Sequence, residues 1–352
     1  MQEYFGCDMH KRYSVFGSIN EAGNKGECVR VEHERDKVRA YLSTLPSGSQ
    51  IAIETVGNWY WLVDEVEQAG HMPLLVNAGK AKVMMGQINK TDKLDTYGLA
   101  TLLRNGTLPK VWIPPTEIRD QRELLRMRMT LVHIRTMLKN RIHATLAKYA
   151  INIQEVSDIF GVKGRAIITK YLKELPPYTR DCVESQLEVL DQLAEQINWC
   201  EEQIDQLIEK TPAIRLLMSL PGVGPILATV IAAEIGDISR FPNAEHLASY
   251  AGMVPRVHSS GGKTYYGQIR PDINHYLRWA FIEAANVAVI NQARWLDRHV
   301  VQIYRRIKVR KGSGKAVVAA GRHLSEAAFW VLYKNEPYRE PKAYKPVSSN
   351  RK

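Results

Sequence analysis

Four carboxylates in the first hundred residues have the spacing that a pair of divalent metal ions requires. Asp8 ends the apolar run Tyr4-Phe5-Gly6-Cys7, and Glu54 ends another, Ile51-Ala52-Ile53. Asp92 and Asp95 follow in Lys90-Thr91-Asp92-Lys93-Leu94-Asp95, at the start of a helical pattern. Acids at strand ends and an i, i+3 acid pair can converge on Mg²⁺, which prefers carboxylate oxygens and keeps open positions for phosphate. Taken singly, each has a bland reading. Asp8 alone is a turn or cap residue, and Asp92 and Asp95 alone offset a helix dipole and pair with Lys90 and Lys93. Glu54 resists such a reading, because it follows residues that look buried, and burying an unpartnered ion is costly. Taken together and in this order, the four read as a metal site.

Charge says what such a site acts on. The chain has 352 residues, 45% of them hydrophobic, with a net charge of +11. Its length supports two domains with real cores. Its charge favours polyanions, and on a basic chain the expected substrate is a nucleic acid. No stretch reaches the roughly 18 apolar residues of a spanning helix, and Met1-Gln2-Glu3-Tyr4 has no secretory pattern. Cys7, Cys28, Cys182 and Cys200 form no CxxC pair and read as reduced thiols without zinc. The expected setting is the cytoplasm, on the nucleoid, with no membrane partner.

The elements that must position the acids are legible in outline, as α/β followed by α. Strands are expected at Tyr4–Cys7, Tyr13–Ile19, Cys28–Val31, Gln50–Ile53 and Pro73–Val76, from β-branched and aromatic content between Gly and Asn punctuation. Helical patterns cover Asp36–Leu45, Trp59–Ala69 and Asp92–Leu103. Three early strands followed by strand–helix alternation predict a mixed sheet with an antiparallel edge, the ribonuclease-H-like (RuvC-like) arrangement. This unit spans 1–115 and closes at Pro114-Pro115.

Residues 116–210 read as a helical coiled-coil arm. Leu124, Met127, Leu131, Ile134 and Leu138 form one seam. Val183, Leu187, Leu190, Ala194, Ile197, Ile204 and Ile208 form a second, broken by Glu201. The first helix is basic and the second acidic, which suits an antiparallel hairpin or a dimer arm. Residues 211–340 form a third, mostly helical unit. In it, Pro221-Gly222-Val223-Gly224 resembles a helix-hairpin-helix turn, in which Gly222 and Gly224 let backbone N–H groups point at a phosphate. An ordinary helix–helix turn is the competing reading.

Val254–Gly267 reads as a flexible loop carrying His258, Ser259, Ser260, Tyr265 and Tyr266, with the cations Arg256 and Lys263. Such a loop can carry a nucleophile to a phosphate held elsewhere, and the tyrosines rival Ser260 for that role. Arg305, Arg306, Lys308, Arg310, Lys311 and Lys315 form a basic loop suited to phosphate, and Arg278 joins the expected nucleic-acid contacts. The polar stretch from Glu336, including the basic tail 341–352, is expected to be disordered.

These motifs together resemble the DEDD-type insertion-sequence transposases of the Piv/MooV group (insertion-sequence family one-ten), which are bridge-RNA-guided serine recombinases. The resemblance covers nearly the whole chain. It is carried by Gly6-Cys7-Asp8, Ile53-Glu54-Thr55-Val56-Gly57, Lys90–Asp95, Pro221–Gly224, Phe241 with Ala248-Ser249-Tyr250-Ala251-Gly252, Val254-Pro255-Arg256, Ser260-Gly261 and Leu277-Arg278. It implies that Asp8, Glu54, Asp92 and Asp95 hold Mg²⁺, with Mn²⁺ as a substitute. It also implies that Ser260 attacks DNA to form a phosphoserine. Ser260 is chosen over Ser259 because it stands directly before glycine and five residues after Pro255. The resemblance further implies double-stranded target and donor DNA, a non-coding bridge RNA that selects both, a homo-oligomer (dimer or tetramer) with a composite site, and a prokaryotic setting. A covalent phosphodiester keeps its bond energy, so no ATP is required, and the sequence has no GxxxxGK[ST] loop.

Two other functions compete. One is a RuvC-like nuclease or Holliday-junction resolvase that uses water as its nucleophile, and the other is a nucleic-acid-binding protein with a decayed site. The intact acid set argues against decay, and the C-terminal unit exceeds what a minimal resolvase needs.

Overall fold

Side-chain alternation along the early strands sorts residues onto two faces, and that sorting builds the N-terminal unit. The computed structural model describes residues 2–86 and 91–341, and the chain divides into two units, Met1–Pro114 and Pro115–Lys352. In the first, β1 (Glu3–Met9), β2 (Tyr13–Asn20), β3 (Val29–Glu32), β4 (Gln50–Glu54) and β5 (Met72–Val76) form one sheet in the order β3-β2-β1-β4-β5. β1–β2 and β2–β3 are antiparallel, whereas β1–β4 and β4–β5 are parallel. This is the mixed sheet with an antiparallel edge that the order of elements predicts.

One face of the sheet carries Phe5, Cys7, Met9, Ile51, Ile53 and Leu75. It packs on α1 (Arg35–Leu42) and α2 (Trp59–Gln68) through Val38, Leu42, Leu62, Val63 and Val66. The other carries Tyr4, Ala52, Leu74 and Val76. It packs on Ala81 of α3 (Ala78–Met85) and on Leu99, Leu102 and Leu103 of α4 (Asp92–Arg104). Sequence periodicity misses α3, because only Ala81 is buried along it. α4 lies against β1 so closely that a Cβ at Gly6 would stand 2.0 Å from the Thr96 carbonyl oxygen. Glycine is therefore what admits the helix to this strand.

Among the described residues, the regular elements of the second unit are helices apart from one hairpin. α5 (Thr116–Lys148) and α7 (Pro177–Lys210) pack against each other, with α6 (Val162–Tyr171) between them in sequence. Arg128 Nε donates to Glu201 Oε1 at 3.0 Å, and the Tyr149 and Thr179 hydroxyls meet at 3.2 Å, so the two helices run antiparallel. The Arg128 pair accounts for the acid that breaks the second seam. The first seam holds in part: Leu124 and Leu138 pack half-buried on the cores, Leu131 and Ile134 are half-buried, and Met127 is 42% exposed, while Leu125, Ile142 and Leu146 are buried. The reason is that α5 serves two different cores. Ile142 and Leu146 join Ile168, Val183 and Leu187 at the far end, and Leu125 joins Ile204 in the main helical core.

That core is completed by α8 (Pro212–Leu217), α9 (Pro225–Ile235), α10 (Ala244–Tyr250), α11 (His275–Ile290), α12 (His299–Lys311) and α13 (Ser313–Lys334). Prolines start α7, α8 and α9, where a missing N–H costs nothing. Inside it, Glu234 is buried and accepts hydrogen bonds from Arg126 at 3.0 Å and Asn274 at 2.8 Å.

Three expectations are corrected here. The basic run Arg305–Lys315 is not a loop: it forms the end of α12 and the start of α13, broken only at Gly312. The loop Val254–Gly267 is mostly a β-hairpin, of β6 (Val257–Ser260) and β7 (Lys263–Tyr266). Gly261 and Gly262, with φ of +56° and +76°, supply the two-residue primed turn that such a hairpin needs. The stretch from Glu336 packs back as far as Glu340: Tyr338 N donates to Ser219 Oγ at 2.7 Å, and His299 N donates to Glu340 Oε2 at 3.0 Å. Beyond Pro341, the expected basic tail lies outside the described residues.

Candidate active site

Alternation also aims the strand-end acids. Asp8 lies between Cys7 and Met9, which face α1 and α2, so its side chain points to the α4 face. Glu54 follows Ile53 in the same sense. β1 and β4 are parallel and pair Cys7 with Ile53, so Asp8 and Glu54 are the next residues on neighbouring strands, side by side. Over that corner, Thr91 caps α4 by accepting from Leu94 N at 3.3 Å, and Asp92 and Asp95 occupy the helix's first turn. Acids from three segments distant in sequence thus come to one corner of the unit.

Among the described residues, one ligand atom each of Asp8, His10 and Asp92 lies within 4.8 Å of the others. Asp8 is only 6% exposed. His10 Nε2 stands 3.3 Å from Asp8 Oδ2 and 3.2 Å from Asp92 Oδ2. That nitrogen is closed to solvent and makes no aligned hydrogen bond. Two carboxylates so close repel by about 3 kcal/mol at an effective dielectric constant near 20, and a cation between them reverses the sign. The donor set and the unaligned imidazole nitrogen both fit a divalent metal. Glu54 and Asp95 flank this group without belonging to it.

His10 escaped the sequence reading. Its signal was the i, i+2 spacing from Asp8, which keeps it on the same side of the chain as it leaves the strand. Tyr13 adds an outer contact, donating from its hydroxyl to Asp92 Oδ2 at 3.3 Å. Desolvation and the Asp92 charge raise the Tyr13 pKa above its ordinary value. Cys7, next to Asp8, is no rival nucleophile: burial pushes its thiol far up, so it stays protonated.

The hairpin of the second unit separates the two serines. Its register pairs Ser260 with Lys263 and His258 with Tyr265, and Ser259 with Thr264 and Val257 with Tyr266. Paired residues share a face and neighbours alternate, so Ser260 lies with His258, Lys263 and Tyr265. Ser259 lies on the opposite face, its hydroxyl 3.4 Å from that of Thr264. All of these side chains are exposed.

Comparison with known proteins identifies what carries this constellation. Residues 5–151, which include all four acids and His10, match the DEDD transposase model of the IS110 type. Residues 214–301, which include the hairpin, match the model described as "Transposase IS116/IS110/IS902 family". The chain belongs to the IS110/IS116 family of DEDD transposases. A probable family 20 transposase of Pseudomonas aeruginosa is 25% identical over 347 residues, covering 96% of this chain and 98% of that protein. The transposase for insertion sequence element IS1111A of Coxiella burnetii is 27% identical, covering 71% of this chain and 69% of its own. The pilin gene-inverting protein of Moraxella bovis is 27% identical, covering 82% and 81%.

The transposase is thus an enzyme of DNA recombination, and its DEDD domain implies use of a divalent metal. No helix among its described residues is long and apolar enough to cross a membrane. Its remaining predicted contacts fall in the second unit. Gly222 holds the turn between α8 and α9 at φ +78°, and its Cβ position is 2.2 Å from the Ala284 carbonyl oxygen of α11, so packing alone requires glycine there. At Gly224, which caps α9, a Cβ would meet nothing within 4 Å. Arg278 donates to the Gly252 carbonyl and so tethers the segment ahead of the hairpin. Arg256 and Lys263 are exposed on or beside the hairpin. Arg305, Arg306, Lys308, Arg310, Lys311 and Lys315 are exposed around the α12–α13 junction, beyond the second family match.

Proposed function

We propose that this transposase cuts and rejoins DNA through a covalent phosphoserine on Ser260, with Mg²⁺ held by Asp8, Glu54, Asp92 and Asp95. The carrying observation is the meeting of Asp8 and Asp92 at one corner, from a strand end and a helix start far apart in sequence. In this reading residues 1–115 are a ribonuclease-H-like, RuvC-like catalytic domain, 116–210 a coiled-coil assembly arm and 211–340 the serine-bearing domain. The bound metal neutralises phosphate charge and stabilises the leaving oxygen.

A serine hydroxyl is almost wholly protonated near neutral pH and needs help to attack. In the step proposed, Ser260 Oγ bonds to phosphorus, the bond from phosphorus to one sugar oxygen breaks, and that oxygen takes up a proton. The face shared with Lys263 and His258 supports Ser260: one side chain offers a cation for the phosphate, the other an imidazole for the hydroxyl proton. Gly222, Gly224, Arg256, Arg278 and the cations about the α12–α13 junction hold nucleic-acid phosphates.

A non-coding bridge RNA selects target and donor DNA, and the protein works as a dimer or tetramer on the prokaryotic nucleoid. Met127, Met137, Val189 and Trp199, exposed along α5 and α7, support association through the arm.

The test is covalent trapping. Protein, flanking RNA, labelled target and donor DNA and Mg²⁺ are mixed and denatured, and label retained on protein is measured for wild type, Ser259→Ala and Ser260→Ala. The expected adduct is lost only in Ser260→Ala. Cleaved DNA without an adduct in any sample would refute the phosphoserine and favour a water-using nuclease.

A further inference from the structure

We propose that His10 is an inner-sphere ligand of this metal site, so that the cation is held by an imidazole nitrogen as well as by carboxylate oxygens. The inference rests on the metal-assisted reading above and extends it to a residue outside the four acids. Ligands at right angles around one ion, with bonds of about 2.1 Å, stand about 3.0 Å apart. His10 Nε2 lies 3.3 Å from Asp8 Oδ2 and 3.2 Å from Asp92 Oδ2, close to two edges of such a polyhedron. An imidazolium serving only as an ion-pair partner would aim its N–H at one oxygen. Here the buried nitrogen is aligned with neither, as expected of a lone pair directed at a shared centre.

His10 is also held in place from its backbone outwards. Its N–H donates to the Tyr13 carbonyl at 2.9 Å, its carbonyl accepts from Asn58 Nδ2 at 3.3 Å, and its ring packs on Tyr13 with centroids 4.5 Å apart. The same Tyr13 orients Asp92 through its hydroxyl. One tyrosine therefore steadies two ligands, the outer support typical of metal sites. A nitrogen donor shifts preference away from Mg²⁺, which favours oxygen, towards Mn²⁺ and later transition metals.

The experiment uses the full-length protein loaded with Mn²⁺, read by pulsed electron paramagnetic resonance and by titration calorimetry, without DNA. Wild type should show a ¹⁴N coupling that becomes a ¹⁵N coupling on ¹⁵N-histidine labelling and disappears in His10→Gln. Calorimetry should show Mn²⁺ affinity falling at least tenfold in His10→Gln, with a smaller fall for Mg²⁺. If Asp8→Asn removes bound Mn²⁺ but wild type shows no nitrogen coupling, the ligand assignment is overturned and the acid site stands. A nitrogen coupling that persists in His10→Gln overturns it equally. No Mn²⁺ bound by wild type would overturn the metal reading together with this inference. The labelling experiment needs no substitution, so it decides even if His10→Gln fails to fold.

Discussion

Gly6→Ala tests whether close packing of α4 on β1 is what brings the acids together. A Cβ at residue 6 would stand 2.0 Å from the Thr96 carbonyl oxygen and 3.0 Å from Ala100 N, both backbone atoms of α4. Ordinary contact begins near 3.4 Å, so the helix must retreat by roughly 1.4 Å, the difference between 3.4 and 2.0. Backbone cannot rotate out of the way as a flexible side chain would. Thr96 is one turn from Asp92 and directly follows Asp95, so a rigid retreat carries both acids away from Asp8 and Glu54. Overpacking of this kind costs about 1–3 kcal/mol. A misplacement near 1 Å costs about 10²-fold in rate. The assay pairs urea denaturation of the full-length protein with the rate of covalent adduct formation. Gly79→Ala on α3 is the stability control, because its Cβ would meet only Asn77 Oδ1, at 3.6 Å. Wild-type stability and adduct rate in Gly6→Ala would refute the argument that this contact positions the site.

The α8–α9 turn separates packing from recognition. Gly222→Ala should lose about 2–4 kcal/mol from strain and collision with α11, and Gly224→Ala less than about 1 kcal/mol. If the turn's N–H groups hold phosphate, Gly224→Ala weakens DNA binding while leaving the melting temperature near wild type; unchanged binding would remove the turn from the interface. Arg310→Ala with Lys311→Ala should shallow the slope of log affinity against log salt by about one unit per lost phosphate contact. An unchanged slope would exclude the end of α12. Finally, burial and the neighbouring His299 hold the His323 pKa down to about 4 from its ordinary 6.5. The unfolded chain then binds more protons between these values, so stability is full above pH 6.5 and falls as pH drops towards 4. The loss is on the order of 3 kcal/mol. Urea midpoints measured across this range should flatten in His323→Asn, and an equally steep fall would assign the effect to other groups.

The strands of the N-terminal unit were legible because a half-buried strand writes its pattern locally, in alternation and β-branched residues. α3 was not, because only Ala81 is buried along it. The seam of α5 was legible only in part for a related reason: Leu124 and Leu138 pack on the cores as expected, but Leu125 and Ile142 face different cores, so no single period runs through the helix. The hairpin shows the opposite case. Its Gly-Gly turn was in plain view, but small polar residues around it read as a flexible loop, and pairing of β6 with β7 overrode that reading.

By itself, the sequence determined the chemistry at hand: four acids in order, a serine before Gly-Gly, an excess of cations, and motifs specific enough to mark the family. Those are properties of residue type and spacing, and they survive in any conformation. Only the tertiary structure decided which groups meet. Parallel pairing of β1 with β4 set Asp8 beside Glu54, and the absence of a side chain at Gly6 let α4 lower Asp92 to the same corner. His10, two residues past Asp8, joined them through a contact to Asp92 that no local pattern encodes. Contacts between residues some eighty positions apart depend on how strands and helices stack, and that is settled by burial of the whole sheet rather than by any one segment.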